Sequence, residues 1–82
     1  MKYIVFENGG AVLFGNGLSH KDVAGNRRVK SAGFCIIETG RNSFDDIVLK
    51  TCSCFGYSES LGVEAHPGED EQEIAHVFTG MN

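Results

Sequence analysis

The chain has 82 residues, of which 41% are hydrophobic and 22% charged, and its formal net charge is −4. This mix is typical of a globular protein, and a chain this short has room for one hydrophobic core, so we expect a single domain over residues 1–82. The negative charge argues against nucleic-acid binding, which needs a clustered basic surface. The only basic cluster comprises Arg27, Arg28 and Lys30.

The sequence also predicts a location. No stretch approaches the roughly 18 consecutive apolar residues of a membrane span. Residues 1–10 lack the long apolar region and the small-residue cleavage site of a signal peptide. We therefore expect a cytoplasmic protein whose thiols stay reduced, and its three cysteines are an odd number, a poor start for a disulfide framework.

The first predicted elements form a β-hairpin. Residues 2–7 (KYIVFE) are rich in β-branched and aromatic side chains, which favours a strand. Residues 8–10 (NGG) accept the positive φ angles that hairpin turns require. Residues 11–15 (AVLFG) then provide the return strand.

A short helix and two longer strands follow. Ser19 with Asp22 three residues later resembles a capping box, and Gly25 is a suitable stop, so we expect one or two helical turns. Residues 29–40 predict the third strand and residues 44–55 the fourth, with a turn between them.

The last segment predicts a short strand and a helix. Residues 56–60 have the composition of a turn, and residues 61–65 predict a fifth strand that ends before Pro67. Acidic residues crowd residues 69–73, where the positive end of a helix favours anions. Gly80 is the expected helix stop. The apolar stripe of this helix comprises Ile74, Val77, Phe78 and Met81.

The predicted element order is therefore β-β-α-β-β-β-α. Short connections favour antiparallel pairing of neighbouring strands. We expect an α+β fold, with an antiparallel sheet of about five strands, one short helix and a C-terminal helix packed on one face.

Residues 50–60 (KTCSCFGYSES) contain the residues most suggestive of chemistry. Cys52 and Cys54 would face the same side of a strand, roughly 6.5–7 Å apart, so a disulfide between them requires a break in the strand. Zinc needs two further ligands, for which the candidates are Cys35, His20, His66 and His76, but none of them stands at a spacing that zinc motifs use. Only Lys50, two residues from Cys52 on the same predicted face, would lower the pKa of a thiol.

We interpret these cysteines as small buried hydrophobic residues, the commonest role of a free cysteine. The alternative is a thiol- or metal-dependent regulator that uses Cys35, Cys52 and Cys54, with His66 as a further metal ligand.

No catalytic constellation is evident, so we expect neither an enzyme nor a cofactor. Residues 56–60 (GYSES) miss the second glycine of the nucleophile elbow, and no helical pattern follows. A small enzyme that uses Ser58 or His66 is the remaining alternative. His20 and His76 are interpreted as surface residues of helices.

Three segments carry a resemblance: SH-x-x-VA in residues 19–24, VKSAGF in residues 29–34, and C-x-C-x-G-x-S-x-S-L-G in residues 52–62. Together they resemble a group of small uncharacterised bacterial and phage-type open reading frames. The likeness covers most of the chain and implies a small stand-alone product of a bacterium or mobile element. It implies no activity and no functional residues.

Both faces of the third and fourth predicted strands carry apolar side chains, whereas a half-solvated sheet would alternate apolar with polar residues. One C-terminal helix covers one face only, so a second copy or closure into a small barrel must shield the other. We favour a homodimer, and hence a non-enzymatic binding or accessory protein that self-associates, with another protein as the other open class of partner. Regular alternation places Phe34 and Ile36 on one face of the third strand and Cys35 and Ile37 on the other. In the fourth strand it places Ile47, Leu49 and Phe55 on one face and Phe44, Val48, Cys52 and Cys54 on the other.

Overall fold

The computed structural model describes residues 1–79 and has the antiparallel α+β fold that the sequence predicts. The strands form a four-stranded antiparallel sheet in the order β2-β1-β3-β4 and a separate two-stranded sheet of β5 and β6. The predicted stop at Gly80 and the last stripe residue, Met81, lie outside the described residues. The strands are β1 (Lys2–Phe6), β2 (Ala11–Phe14), β3 (Val29–Arg41), β4 (Ile47–Phe55), β5 (Tyr57–Ser58) and β6 (Val63–Glu64), and the helices are α1 (His20–Ala24) and α2 (Pro67–Thr79).

The predicted hairpin and short helix are confirmed. Gly9 and Gly10 have φ angles of 93° and 89°, which glycine adopts without steric cost, and they join β1 to β2. At the start of α1, the side-chain oxygen of Ser19 accepts a hydrogen bond of 3.1 Å from the Asp22 backbone N–H. The helix ends before Gly25, which has a φ of 60°.

The fourth strand begins later than predicted, because the Asn42 side chain stabilises a turn before it. The Asn42 side-chain oxygen accepts hydrogen bonds from the backbone N–H groups of Phe44 at 2.9 Å and Asp46 at 3.0 Å. Asp45 adopts a positive φ of 63°, which is incompatible with a strand. The prediction of a strand from residue 44 was therefore wrong, since Asn side chains stabilise turns locally.

A β-bulge in β4 reverses the predicted facing of its first half. Glu38 pairs with Thr51 and Thr39 with Leu49, so Lys50 is the additional residue. Ile47 and Leu49 consequently lie on the same face as Cys52 and Cys54, not with Phe55 as strict alternation predicted. Lys50 packs over Gly40 on the opposite face, so the predicted proximity of Lys50 to the thiols was also wrong.

The fifth predicted strand does not join the main sheet. Gly56, with a φ of 80°, turns the chain after β4, and β6 pairs instead with β5, which lies in the predicted turn. The turning chain passes so close to β3 that a Cβ atom on Gly33 would lie 2.5 Å from the Phe55 carbonyl oxygen. Only glycine fits at that position, and the β5–β6 hairpin packs against β3.

The main sheet has an apolar cluster on each face. Helix α2 packs against β4 and β2 and covers one face, as predicted. Helix α1 and the β5–β6 segment cover part of the other face. Because β2 and β4 are the edges of the sheet in the described residues, it does not close into a barrel. The cluster under α2 comprises Tyr3, Val5, Cys35, Cys54 and Ile74, and the cluster on the other face comprises Ile4, Phe6, Ala24 and Ala32.

Neither helix within residues 1–79 has the length and apolar character needed to cross a membrane. The sequence likewise contains no segment with those properties.

Candidate functional site

The β3–β4 hairpin extends beyond the rest of the sheet. Strand β1 pairs with β3 only as far as Phe34, and the last backbone bond on that side runs from the Cys35 N–H to the Met1 carbonyl oxygen at 2.8 Å. Within residues 1–79, β4 is the only strand paired with β3 from Ile36 onward. We call residues 36–53 the β-arm; it contributes to an overall length of 41 Å against widths of 23 and 22 Å.

The β-arm and its base expose large apolar side chains. Phe44 at the tip is 83% exposed, Ile36 66%, Ile47 58% and Phe55 at the base 47%. The arm also carries both signs of charge, including Arg41, which donates to the Asp45 carbonyl oxygen at 2.9 Å and fixes the tip. Exposed apolar groups concentrated on one projection are typical of interaction surfaces.

A cleft of about 520 Å³ opens at the base of the β-arm. Its aromatic wall is the stacked pair of Phe34 and Phe55, whose ring centroids lie 6.0 Å apart, together with the exposed Tyr57. Its volume lies in the range of sites that bind small molecules or protruding side chains. The polar residues that line it are Lys2, Ser19, His20, Glu59 and Ser60.

His20 lies inside the fold, at the back of this cleft. Its ring stands edge-on to Phe14 and Phe34, and its Nε2 atom lies 2.8 Å from the Gly33 carbonyl oxygen. That contact requires a proton on Nε2, because a carbonyl oxygen only accepts. The interpretation of His20 as a surface residue was therefore wrong; local helix periodicity carried no information about the aromatic residues that enclose it.

The three cysteines meet on one face of the sheet beneath α2. Cys35 and Cys54 are buried and stand directly opposite each other on β3 and β4. Cys52 is partly buried, and its sulfur lies 4.0 Å from that of Cys54. All three are free thiols that pack in the apolar cluster, in agreement with the prediction of small buried residues.

Burial raises the pKa of all three thiols and so disfavours their ionised form. It raises the pKa of Cys35 to about 11, with a further contribution from Cys52, and it raises the pKa of Cys52 and of Cys54 as well. The thiolate is the reactive form of cysteine, so the buried pair is protected by both access and protonation.

Alkylation of the native protein is expected to label Cys52 well before Cys35 and Cys54. A pKa of about 11, against an ordinary value of 9.0, lowers the thiolate fraction of Cys35 near pH 8 about a hundredfold. The labelling rate of Cys35 should therefore still rise with pH beyond 9, about tenfold per unit. Iodoacetamide labelling followed by peptide mapping measures each site, with denatured protein as the control; equal native rates at all three cysteines would contradict this arrangement.

The candidate metal ligands do not converge. Among residues 1–79, no three His, Cys, Asp or Glu side chains are arranged to hold a metal ion. His66 is exposed and directly precedes α2, and it is not one of the residues packed in the cluster that contains Cys35, Cys52 and Cys54. The geometry therefore does not favour the metal-dependent alternative.

Asp70 is the most informative residue that the sequence interpretation missed. This carboxylate is fully buried and accepts hydrogen bonds from the Tyr3 hydroxyl, from the Ser31 hydroxyl at 2.5 Å and from the His66 backbone N–H at 2.7 Å. The next residue, Glu71, accepts the Cys54 backbone N–H at 2.9 Å. Two of the acidic residues assigned to the helix dipole thus bind α2 to the sheet. The available signal was the pair of polar residues, Tyr3 and Ser31, on an apolar strand face.

The phenol of Tyr3 is held protonated by this site. Burial is the largest cause of a pKa raised far above the ordinary value of 10.0, and the Asp70 carboxylate adds to it. The pKa of Tyr3 is higher in the folded than in the unfolded chain. The part of the free energy of unfolding that depends on the protonated phenol is therefore complete below pH 10 and declines as the pH rises above it.

Ser58 stabilises the turn between β5 and β6. It is buried, and its hydroxyl accepts the Leu61 backbone N–H at 3.2 Å and contacts the Ser60 hydroxyl at 3.5 Å. These contacts belong to the β5–β6 connection and supply no general base for a nucleophile.

The basic cluster is engaged with its own chain. The Arg27 guanidinium lies 3.5 Å from the centre of the Phe6 ring, and Lys30 pairs with Glu69 at 3.3 Å. These contacts are typical of a solvated surface.

No protein-family model, curated protein or solved structure matches this chain.

Proposed function

We propose that this chain is a small, non-enzymatic binding or accessory protein that self-associates, with two copies pairing through their β-arms. The observation that carries the proposal is the projection of the β-arm with its exposed apolar side chains, above all Phe44 at the tip and Ile36 along the arm. The reducing cytoplasm is the proposed location, because all three cysteines are free.

In a two-fold arrangement, the tip and the base of each β-arm both contact the partner copy. Strand β4 is an edge of the sheet, and an open edge favours pairing with another chain. If two arms, each roughly 20–30 Å long, lie antiparallel, the tip of each reaches the base of the other. Phe44 of one copy then meets the aromatic cleft formed by Phe34, Phe55 and Tyr57 of its partner.

The exposed apolar surface provides much of the area that a stable pair needs. The exposed parts of Ile36, Phe44, Phe55 and Tyr57 amount to about 500 Å² per copy, against about 800 Å² in a typical stable complex. Polar contacts along the arms supply the remainder. The mixture of acidic and basic side chains on the arm avoids repulsion between identical copies.

Light scattering on a sizing column should give twice the mass of one chain for the wild type. Phe44→Glu and Ile36→Glu should each shift the protein to a single-chain mass, because each places a charge in the apolar interface. Asn26→Glu adds the same charge at an exposed position at the opposite end of β3 and should change nothing. A wild-type mass of one chain, unchanged by concentration, would contradict self-association; a partner of another kind would then be the candidate for the β-arm.

A further inference from the structure

Cys35 and Cys54 are paired across β3 and β4 in a backbone geometry that is compatible with a disulfide bond. The Cys35 N–H donates to Met1 on one side of the ladder, and the Cys54 N–H donates to Glu71 on the other. Both backbone groups point away from the opposing strand, so this is a non-hydrogen-bonded antiparallel pair. In such pairs the Cα atoms are about 4.5 Å apart, within the range of disulfides, and the Cβ atoms are close to the disulfide limit of about 4.5 Å.

The neighbouring pair has different geometry. Cys52 and Cys54 belong to one strand, where Cα atoms two residues apart are roughly 6.5–7 Å from each other, at the upper limit for a disulfide. Their sulfurs are nevertheless only 4.0 Å apart. A Cys52–Cys54 bond would bend β4 and be strained, whereas contact between the sulfurs permits exchange from one to the other.

Access to the cluster is restricted to one thiol. Cys35 is 1% exposed and Cys54 5%, whereas Cys52 is only partly buried at the side of the cluster. A soluble reagent therefore reaches Cys52 first and must act on the other two sulfurs through it.

We propose that Cys52, Cys54 and Cys35 form a redox site in which oxidation by a low-molecular-weight disulfide is relayed from Cys52 to a final cross-strand bond between Cys35 and Cys54. This inference does not depend on the proposed self-association. The Cys52 thiolate attacks the small disulfide, forms a mixed disulfide and releases one small thiol. Cys54 then attacks the Cys52 sulfur and releases the second small thiol.

In the last step, Cys35 attacks the Cys54 sulfur, and Cys52 leaves as a thiolate that takes up the proton lost by Cys35. Overall, two protein thiols are oxidised to one disulfide, and the small disulfide is reduced to two thiols. The product joins β3 to β4 at the base of the β-arm and returns Cys52 to its free form, so the strain of the intermediate drives the relay forward.

Oxidised glutathione tests the relay on the native wild-type protein at mildly alkaline pH. After quenching with acid, alkylation and peptide mapping should find Cys35 joined to Cys54 and Cys52 alkylated. Denatured protein treated in the same way is the control and should give a mixture of pairings. A stable glutathione adduct on Cys52, with Cys35 and Cys54 still free, would overturn the proposal.

Variants separate the steps. Cys52→Ser should slow formation of the Cys35–Cys54 bond at least about tenfold, because the remaining thiols are buried. Cys35→Ser should stop the reaction at the Cys52–glutathione adduct or the Cys52–Cys54 bond. Unchanged melting temperatures would establish that both variants fold, and a Cys52→Ser variant that oxidises as fast as the wild type would refute the relay through Cys52. If a variant does not fold, the wild-type map alone decides.

Discussion

Replacement of Asp70 by alanine is expected to destabilise the protein by about 3–5 kcal/mol, because two buried hydroxyl donors and one partly buried backbone N–H lose their acceptor at once. The Tyr3 and Ser31 hydroxyls would remain buried without this acceptor, and the His66 backbone N–H would lose its bond as well. For a domain of this size, that loss corresponds to a fall in melting temperature of about 15 °C or more. Thermal unfolding followed by circular dichroism measures it.

The neighbouring carboxylate provides the matched control. Glu69 is exposed and pairs with Lys30 at the surface, so Glu69→Ala should cost less than about 1 kcal/mol. Asp70→Asn preserves the shape of the side chain and should be milder than Asp70→Ala, since hydroxyl groups can accept from its amide. Equal effects of Glu69→Ala and Asp70→Ala would mean that the network does not hold α2 to the sheet.

Truncation of Ile74 to alanine is expected to cost about 2–5 kcal/mol. Ile74 is fully buried at the centre of the cluster beneath α2, so the smaller side chain leaves a cavity against Tyr3, Val5 and the cysteines. Urea denaturation should show a lower midpoint with an unchanged slope. The control is Gln72→Ala on the exposed side of the same helix, which should be nearly neutral. A neutral Ile74→Ala would show that the helix docks through other residues.

Features set by neighbours in the sequence were predictable. The Asn8-Gly9-Gly10 turn, the Ser19 cap and the packing of Ile74 and Phe78 of α2 each depend on residues a few positions apart, and each is found where the pattern indicated. The turn at Asn42 is also local, but its signal was weaker than the apolar character of Phe44. The sequence interpretation therefore extended the fourth strand across it.

Features that join distant segments were not predictable in the same way. The enclosure of His20 depends on Phe14 and Phe34, and the burial of Asp70 depends on Tyr3 and Ser31. No periodic pattern records such contacts. The bulge at Lys50 had a similar effect, because one additional residue reversed every facing assignment toward the tip of the arm. The sequence interpretation singled out the three cysteines, but only the register of β3 and β4 brings Cys35 opposite Cys54.

The hydrogen bond between Tyr3 and Asp70 joins residues 67 positions apart, whereas the turns of the β1–β2 and β3–β4 hairpins close within a few residues. Short loops close at low entropic cost, so we expect both hairpins to form earlier in folding than the docking of α2. Interactions that are absent from the folding transition state act on the reverse reaction. We therefore expect substitutions at Asp70 to change mainly the rate of unfolding, and substitutions in the two hairpins to change the rate of folding.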